Sequence, residues 1–189
     1  MQYRNEGQVN ADLKSIMDGF FAARGFTGWR ALQSYQPAQW GRQSEVVTFT
    51  TVYVRRVGFQ GTYYRTALDS GGALVSGSII RDDVYREERS IQFDFFKKRL
   101  PGIDTVATTQ AGDACRMAAA YLTNDDGIDA LAALGYSLLN IRNIRNEHLL
   151  DDSEQFMLLP GFDLVVVYDQ SITTTAPATA TVNHGLYPI

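Results

Sequence analysis

The sequence predicts a single α+β domain: a mostly antiparallel sheet, helices packed on one of its faces, and a long projecting β-hairpin. Three observations predict it. Residues 46–54, VVTFTTVYV, carry no charge and are rich in Val, Thr, Tyr and Phe, the composition of a strand. Beyond the Gly-rich run 69–77, a second long segment alternates Ile91, Phe93 and Phe95 with Gln92 and Asp94. Ahead of both, Val9, Leu13, Ile16, Met17, Phe20 and Phe21 recur at helical spacing. A helix over 8–24 therefore has one apolar face, and it lies on a sheet because a helix of that length is marginal alone in water.

In chain order, Gly25 closes that helix as a C-cap. Leu32 to Tyr35 begin an extended segment that turns at Gln36-Pro37, since the residue before a proline is pushed out of the α region. A Gln-rich link leads through Gly41 into the strand 46–54. Val47, Phe49, Thr51 and Tyr53 share one of its faces; Val46, Thr48, Thr50, Val52 and Val54 share the other. Neither face is polar, which places the strand at the sheet centre. Residues 46–56 pair with 86–98 as an antiparallel hairpin, whose charged, tyrosine-rich outer parts, 55–66 and 80–89, project beyond the core. The second strand spans Val84 to Leu100 and is broken by Pro101-Gly102.

Asp104 or Thr105 caps a helix over 107–123 with an inner stripe of Ala111, Cys115, Ala118, Ala119 and Leu122. Asn124-Asp125-Asp126-Gly127, a C-cap followed by an N-cap, separates it from a short helix, Ile128 to Leu134, closed by Gly135. Tyr136 to Ile144 form a third strand, with Leu139 and Ile141 opposite Tyr136 and Leu138. Asp151 to Met157 read as a brief helical turn. Pro160-Gly161 start a fourth strand, 162–173, with Phe162, Leu164, Val166 and Tyr168 on one face, and a last strand lies near 179–186.

Composition excludes several classes. With 189 residues, 45% hydrophobic and 20% charged, the chain is long and apolar enough to bury one core. A net charge of -4 supplies no basic field for nucleic acid. Cys115 alone makes no internal disulfide and fits a reducing place of folding. There is no signal-peptide pattern and no apolar run near the roughly 20 residues of a membrane helix, so a soluble protein made in the cytoplasm is expected.

Catalytic motifs are missing as well. His148 and His184 fall in predicted loops or at a strand end, with no Cys–His metal spacing; Cys115 reads as an apolar filler. Asp125-Asp126-Gly127 lacks the alternating ligands of a calcium loop. No nucleophile elbow, phosphate loop or dinucleotide fingerprint occurs. No catalytic residue, cofactor or metal is expected. Arg55, Arg56, Arg81, Arg86, Arg89 and Lys97-Lys98-Arg99 stand beside Asp82, Asp83, Glu87 and Glu88. They make either a solvated mixed-charge arm or salt bridges between subunits.

The runs QSYQPAQWG (33–41), RRVGF (55–59), IRNIRN (141–146) and PGFDLVVVYDQSITTT (160–175) resemble, in order, a tailed-phage family of neck terminator or gateway proteins, tail-terminator-like in fold. Trp40 stands where a second Gln is more familiar, and the insertion 60–83 has no counterpart in the resemblance. The resemblance implies a structural virion protein and no enzyme, assembled in the host cytoplasm. It implies a homo-oligomeric ring, a hexamer, at the phage neck. Such a ring joins the portal-side head–tail connector or adaptor to the tail tube or sheath, terminates the tail and leaves a lumen through which DNA passes, with no membrane involved. Two patches are the expected contacts with copies and partners: an arm with Tyr35, Gln36, Pro37, Gln39, Trp40 and Arg42, and the hairpin with Arg55, Arg56, Tyr63, Tyr64, Leu74, Arg86 and Arg89. The alternatives are a tail-tube or baseplate subunit, or a small ligand-binding or enzymatic domain using tyrosines and arginines of the hairpin. That last reading requires a deep pocket with convergent polar groups.

Overall fold

The computed structural model describes residues 4–26, 28–33, 45–97, 110–150 and 156–177. Three helices and five strands occur among them: α1 (Glu6–Ala23), β1 (Trp29–Gln33), β2 (Glu45–Leu68), β3 (Leu74–Lys97), α2 (Ala111–Thr123), α3 (Asp125–Ala133), β4 (Ser137–Leu150) and β5 (Phe156–Pro177). The sheet order is β1-β2-β3-β5-β4. β1 runs parallel to β2, in register from Trp29 opposite Glu45 to Gln33 opposite Phe49, and β4 is antiparallel to β5. The fold is α+β with a mostly antiparallel open sheet, as the sequence predicts. β2 lies inside the sheet, while the middle place belongs to β3.

The described chain falls into two compact units. One holds 4–56 and 87–168; the other holds 57–86 together with 169–177. The core belongs to the first. Val9, Leu13, Met17, Phe20 and Phe21 of α1, Ala114, Cys115, Ala118 and Leu122 of α2, and Leu131 of α3 pack with Phe49, Ile91, Phe93, Phe95, Phe162, Leu164, Val166 and Tyr168 of the strands. The predicted apolar stripes of both long helices are the ones buried. Rings link the layers: Phe93 stacks on Phe162 at 5.2 Å and meets Phe49 at 5.9 Å.

Local chemistry sets the helix ends. Asn5 and Gln8 form a reciprocal capping box, Asn5 Oδ1 accepting from the Gln8 N–H (2.9 Å) and Gln8 Oε1 from the Asn5 N–H (3.0 Å), so α1 starts two residues before the expected position. Gly25 follows the C-cap Arg24 at φ 74°, and the Phe26 N–H reaches back to the Phe21 carbonyl at 2.8 Å. Gly135 repeats the device after α3, with the Tyr136 N–H on the Leu131 carbonyl at 2.9 Å. Asn124 is C-cap of α2 and N-cap of α3, its side chain accepting from the Gly127 N–H at 3.0 Å. α3 thus begins at Asp125, ahead of the expected Ile128. Gln110 is the N-cap of α2, so the helix starts at Ala111 and not near 107; Asp104 and Thr105 lie outside the described residues.

Several expectations are corrected. β1 starts at Trp29, whose 1% exposed indole stacks on Phe21 at 5.6 Å. The hairpin turn is confined to Asp69–Ala73, where the Asp69 carboxylate accepts from the Gly71 (2.8 Å) and Ala73 (2.9 Å) N–H groups and Gly72 takes φ 81°. Leu74 to Gly77, expected in the loop, are already strand. Pro160-Gly161 do not open a strand but lie inside β5, opposite Asn146 and Arg145. A Cβ at residue 161 would stand 2.5 Å from the Phe93 carbonyl oxygen, so only glycine fits this approach. Phe156 and Met157 likewise belong to β5 and not to a helical turn. Residues 98–109, 151–155 and the predicted strand 179–186 lie outside the described residues.

Two faces of the expected pattern also switch. Phe49 meets Phe93, yet Tyr53 and Arg55 meet Glu88, five residues from Phe93 on β3. Positions five apart on a strand point to opposite sides, so β2 changes face between Phe49 and Tyr53. On β4, Leu138 pairs with Val166 but Asn140 with Val165, which makes Leu139 an extra residue. Leu139 is 53% exposed, and Ile141, expected beside it, packs on the core with Leu138 instead.

Candidate interaction surfaces

In the first unit, charges expected on a solvated arm or in salt bridges between subunits are folded in. Glu87, Glu88 and Arg89 are all buried, and side chains of the neighbouring strands, Tyr53 and Arg55 on β2 and Tyr168 on β5, contact them. Glu88 accepts from the Tyr53 hydroxyl (2.7 Å) and from Arg55 Nε (3.0 Å) and Nη2 (2.9 Å). The Arg55 guanidinium, then the Tyr53 hydroxyl, hold the Glu88 carboxyl below the usual range, and the bond to Glu88 raises Tyr53 in turn. Arg89 lies on the same side as Ile91 and Phe93, donates to Glu87 at 2.9 Å and sits 5.8 Å over the Tyr168 ring. Tyr168 donates to the same Glu87, and burial, reinforced by that bond, pushes its hydroxyl up. The Tyr136 hydroxyl is raised likewise, by burial and by its 2.8 Å bond to Asp12.

A second cluster ties β3, β4 and β5. Arg145 Nη2 lies 2.5 Å from Asp94 and Nη1 3.0 Å from Asp163, while Asn143, at φ 52°, donates to Asp163 at 2.6 Å. Burial pulls Arg145 down, but the two carboxylates outweigh it and hold it above its usual value. Asn143 and Ile144 together stand opposite the single Phe162, one residue more than β5 supplies, since Arg142 pairs with Asp163 and Arg145 with Gly161. This second bulge aims Arg145 inward and leaves Ile144 61% exposed on the edge strand. At the other edge of the described sheet two outward N–H groups of β1 are taken, that of Trp29 by the Phe26 carbonyl (3.2 Å) and that of Ala31 by the Asp18 carboxylate (3.1 Å).

The second unit is a three-strand segment of β2, β3 and β5. Arg65 pairs with Asp82 at 2.8 Å, Thr173 donates to Asp82 at 2.6 Å, and Arg86 pairs with Asp169 at 2.9 Å. The Thr173 hydroxyl, then Arg65, hold Asp82 below the ordinary carboxylate range; Asp169 raises Arg86. On the other face Thr62 (2.7 Å) and Arg81 (3.1 Å) share Asp83. Tyr63 and Tyr64 are 60% and 68% exposed, and Leu68 and Val75 join them at the surface. A shallow open depression of about 320 Å³ is lined by Tyr63, Arg65, Asp82, Val84, Ser171 and Thr173.

Of the residues expected at contacts, Tyr35, Gln36, Pro37, Gln39, Trp40 and Arg42 lie outside the described residues. Arg55, Arg56 and Arg89 fall in the first unit and Tyr63, Tyr64 and Arg86 in the second; of these only Arg89 is buried, and Leu74 opens β3. Sequence reading passed over Leu139 and Ile144, whose exposure depends on two bulges that alternation alone does not announce. It names Asp82 only as a neighbour of the hairpin's arginines and passes over Thr173, which strand order brings to it.

Chemically the surfaces are suited to contact. Burial raises the Cys115 thiol to about 12, so it stays protonated and unreactive at neutral pH. Among the described residues no group of three or more His, Cys, Asp or Glu is placed to hold a metal, and no helix is long and apolar enough to cross a membrane. Residues 11–178 match the family model described as E217 gateway protein gp29. No curated protein matches the chain.

Proposed function

Because the chain belongs to the phage gateway protein family, a structural family of the virion neck, we propose that it forms a ring, a hexamer, that joins the portal-side head–tail connector to the tail tube or sheath, terminates the tail and leaves a lumen for DNA. The observation that carries this reading is the extent of the family match, residues 11–178. The surfaces support it. A closed ring needs two different patches that meet head to tail. The 34–42 arm and the 55–89 hairpin are assigned as those patches, with Arg89 withdrawn from the contact set because it is buried. The net charge of -4 suits a lumen through which DNA slides without sticking.

Mass photometry of the purified chain, alone and with its neck partners, tests the reading: closed rings are expected. Trp40→Ala should weaken assembly while the melting temperature stays within about 2 °C of wild type, a surface-sized change. A chain that stays monomeric with every neck protein, and is missing from purified virions, would remove the proposal. The shallow depression of the hairpin gives little support to the ligand-binding alternative, since its charged lining residues neutralise one another. Density for this chain along the tail tube, and none at the neck, would favour a tube or baseplate subunit.

A further inference from the structure

The six residues around the depression fall into i, i+2 pairs on three adjacent strands: Tyr63 and Arg65, Asp82 and Val84, Ser171 and Thr173. They therefore line one face of the sheet. Asp82 is satisfied by Arg65 and Thr173. Ser171 is not satisfied: it is 6% exposed, and its buried hydroxyl has no hydrogen-bond partner. A buried hydroxyl without a partner loses its hydration for nothing in return, which marks a place where a group from outside completes the structure. Val84 and the Tyr63 ring supply the apolar part of the lining. At about 320 Å³ the space stands at the lower end of ligand sites, suited to one side chain.

The next residue along β2 faces the other way. Tyr64 is 68% exposed on the opposite side of the same sheet, where Thr62 binds Asp83. We propose that the depression is a socket for Tyr64 of the adjacent copy, an inference that rests on the ring reading above. A tyrosine matches the lining in both respects, its ring lying against Val84 and Tyr63 and its hydroxyl bonding Ser171. The Ser171 hydroxyl is closed off in the single chain, so the rim opens as the ring enters: Arg65, 59% exposed and held by a surface ion pair of the weak kind, swings aside. Knob and socket occupy opposite faces of one sheet, so each copy gives one and receives one. Such a contact is head-to-tail, and it closes into a ring where a self-complementary patch would stop at a dimer.

The test uses the full chain in mass photometry over a concentration series. Tyr64→Ala should raise the concentration for half assembly at least about tenfold, as for a buried interface aromatic. Tyr64→Phe and Ser171→Ala should each raise it less, and the two together no more than either alone, because both delete one hydrogen bond. Melting curves of the two Tyr64 variants should overlay wild type, and that of Ser171→Ala should lie at or above it, since the deleted hydroxyl has no partner in the single chain. A short bis-maleimide should link Tyr64→Cys to Thr173→Cys, an exposed position of the same lining, between copies in the double variant and in neither single one; Cys115 is buried and does not compete. Wild-type rings with unchanged assembly of Tyr64→Ala would overturn the socket and leave the ring standing. Tyr64→Cys linking to a different neck protein would also overturn it. A wild-type chain that never associates would take down both.

Discussion

Replacing Arg145 by Met should be among the costliest single changes to the fold. The methionine keeps the apolar stem and removes the charge that joins Asp94 at 2.5 Å and Asp163 at 3.0 Å. The three side chains are only 16–18% exposed, so two carboxylates would be left facing each other with little water. Breaking a fully buried pair costs about 3–5 kcal/mol; the residual exposure puts this cluster at the low end, about 3 kcal/mol. In a chain of this size each kcal/mol lowers the melting temperature by about 2–4 °C, hence by roughly 6–12 °C in all. Urea unfolding followed by circular dichroism measures the loss, with an unchanged slope as the sign that the unfolded state is unaffected. Adding Asp94→Asn and Asp163→Asn to Arg145→Met should recover most of it, since no charge is then stranded. A loss below about 1 kcal/mol, the value of an exposed pair, or a triple variant no better than the single one, would refute the reasoning.

Three further outcomes are expected. Phe93→Ala removes a ring with 0% exposure from between Phe49 and Phe162 and should cost about 3–5 kcal/mol in the same urea assay. Gly161→Ala should cost about 1–3 kcal/mol although it adds a single methyl, because the obstructing Phe93 oxygen is backbone and cannot turn aside; wild-type stability would show that the strands separate freely there. Glu88 has its folded carboxyl depressed by Arg55 and Tyr53, so its contribution is present above the unfolded value of about 4.3 and is lost as pH falls through the folded one. The urea midpoints of wild type and Glu88→Gln should therefore converge between pH 6 and pH 3, and parallel curves would count against that linkage.

Much of this protein is written in local pattern. The apolar stripe of α1, the small-residue stripe of α2 and the alternation of Ile91, Phe93 and Phe95 depend on residues a few positions apart, and each is found where periodicity places it. Family membership was legible for a related reason: short runs in a fixed order survive without knowledge of what they touch. What alternation misplaced was face. One extra residue in a strand reverses every side chain beyond it, and an extra residue has no spelling of its own, so the exposure of Leu139, the inward turn of Ile141 and the meeting of Tyr53 with Glu88 appear only once β4 lies on β5 and β2 on β3. The same holds for the charges. The sequence places Glu87, Glu88 and Arg89 in a charged run and leaves them to water or to contacts between subunits. Partners up to 81 residues away, Tyr168 among them, decide that they are buried, because the environment of a charge is set by neighbours in space.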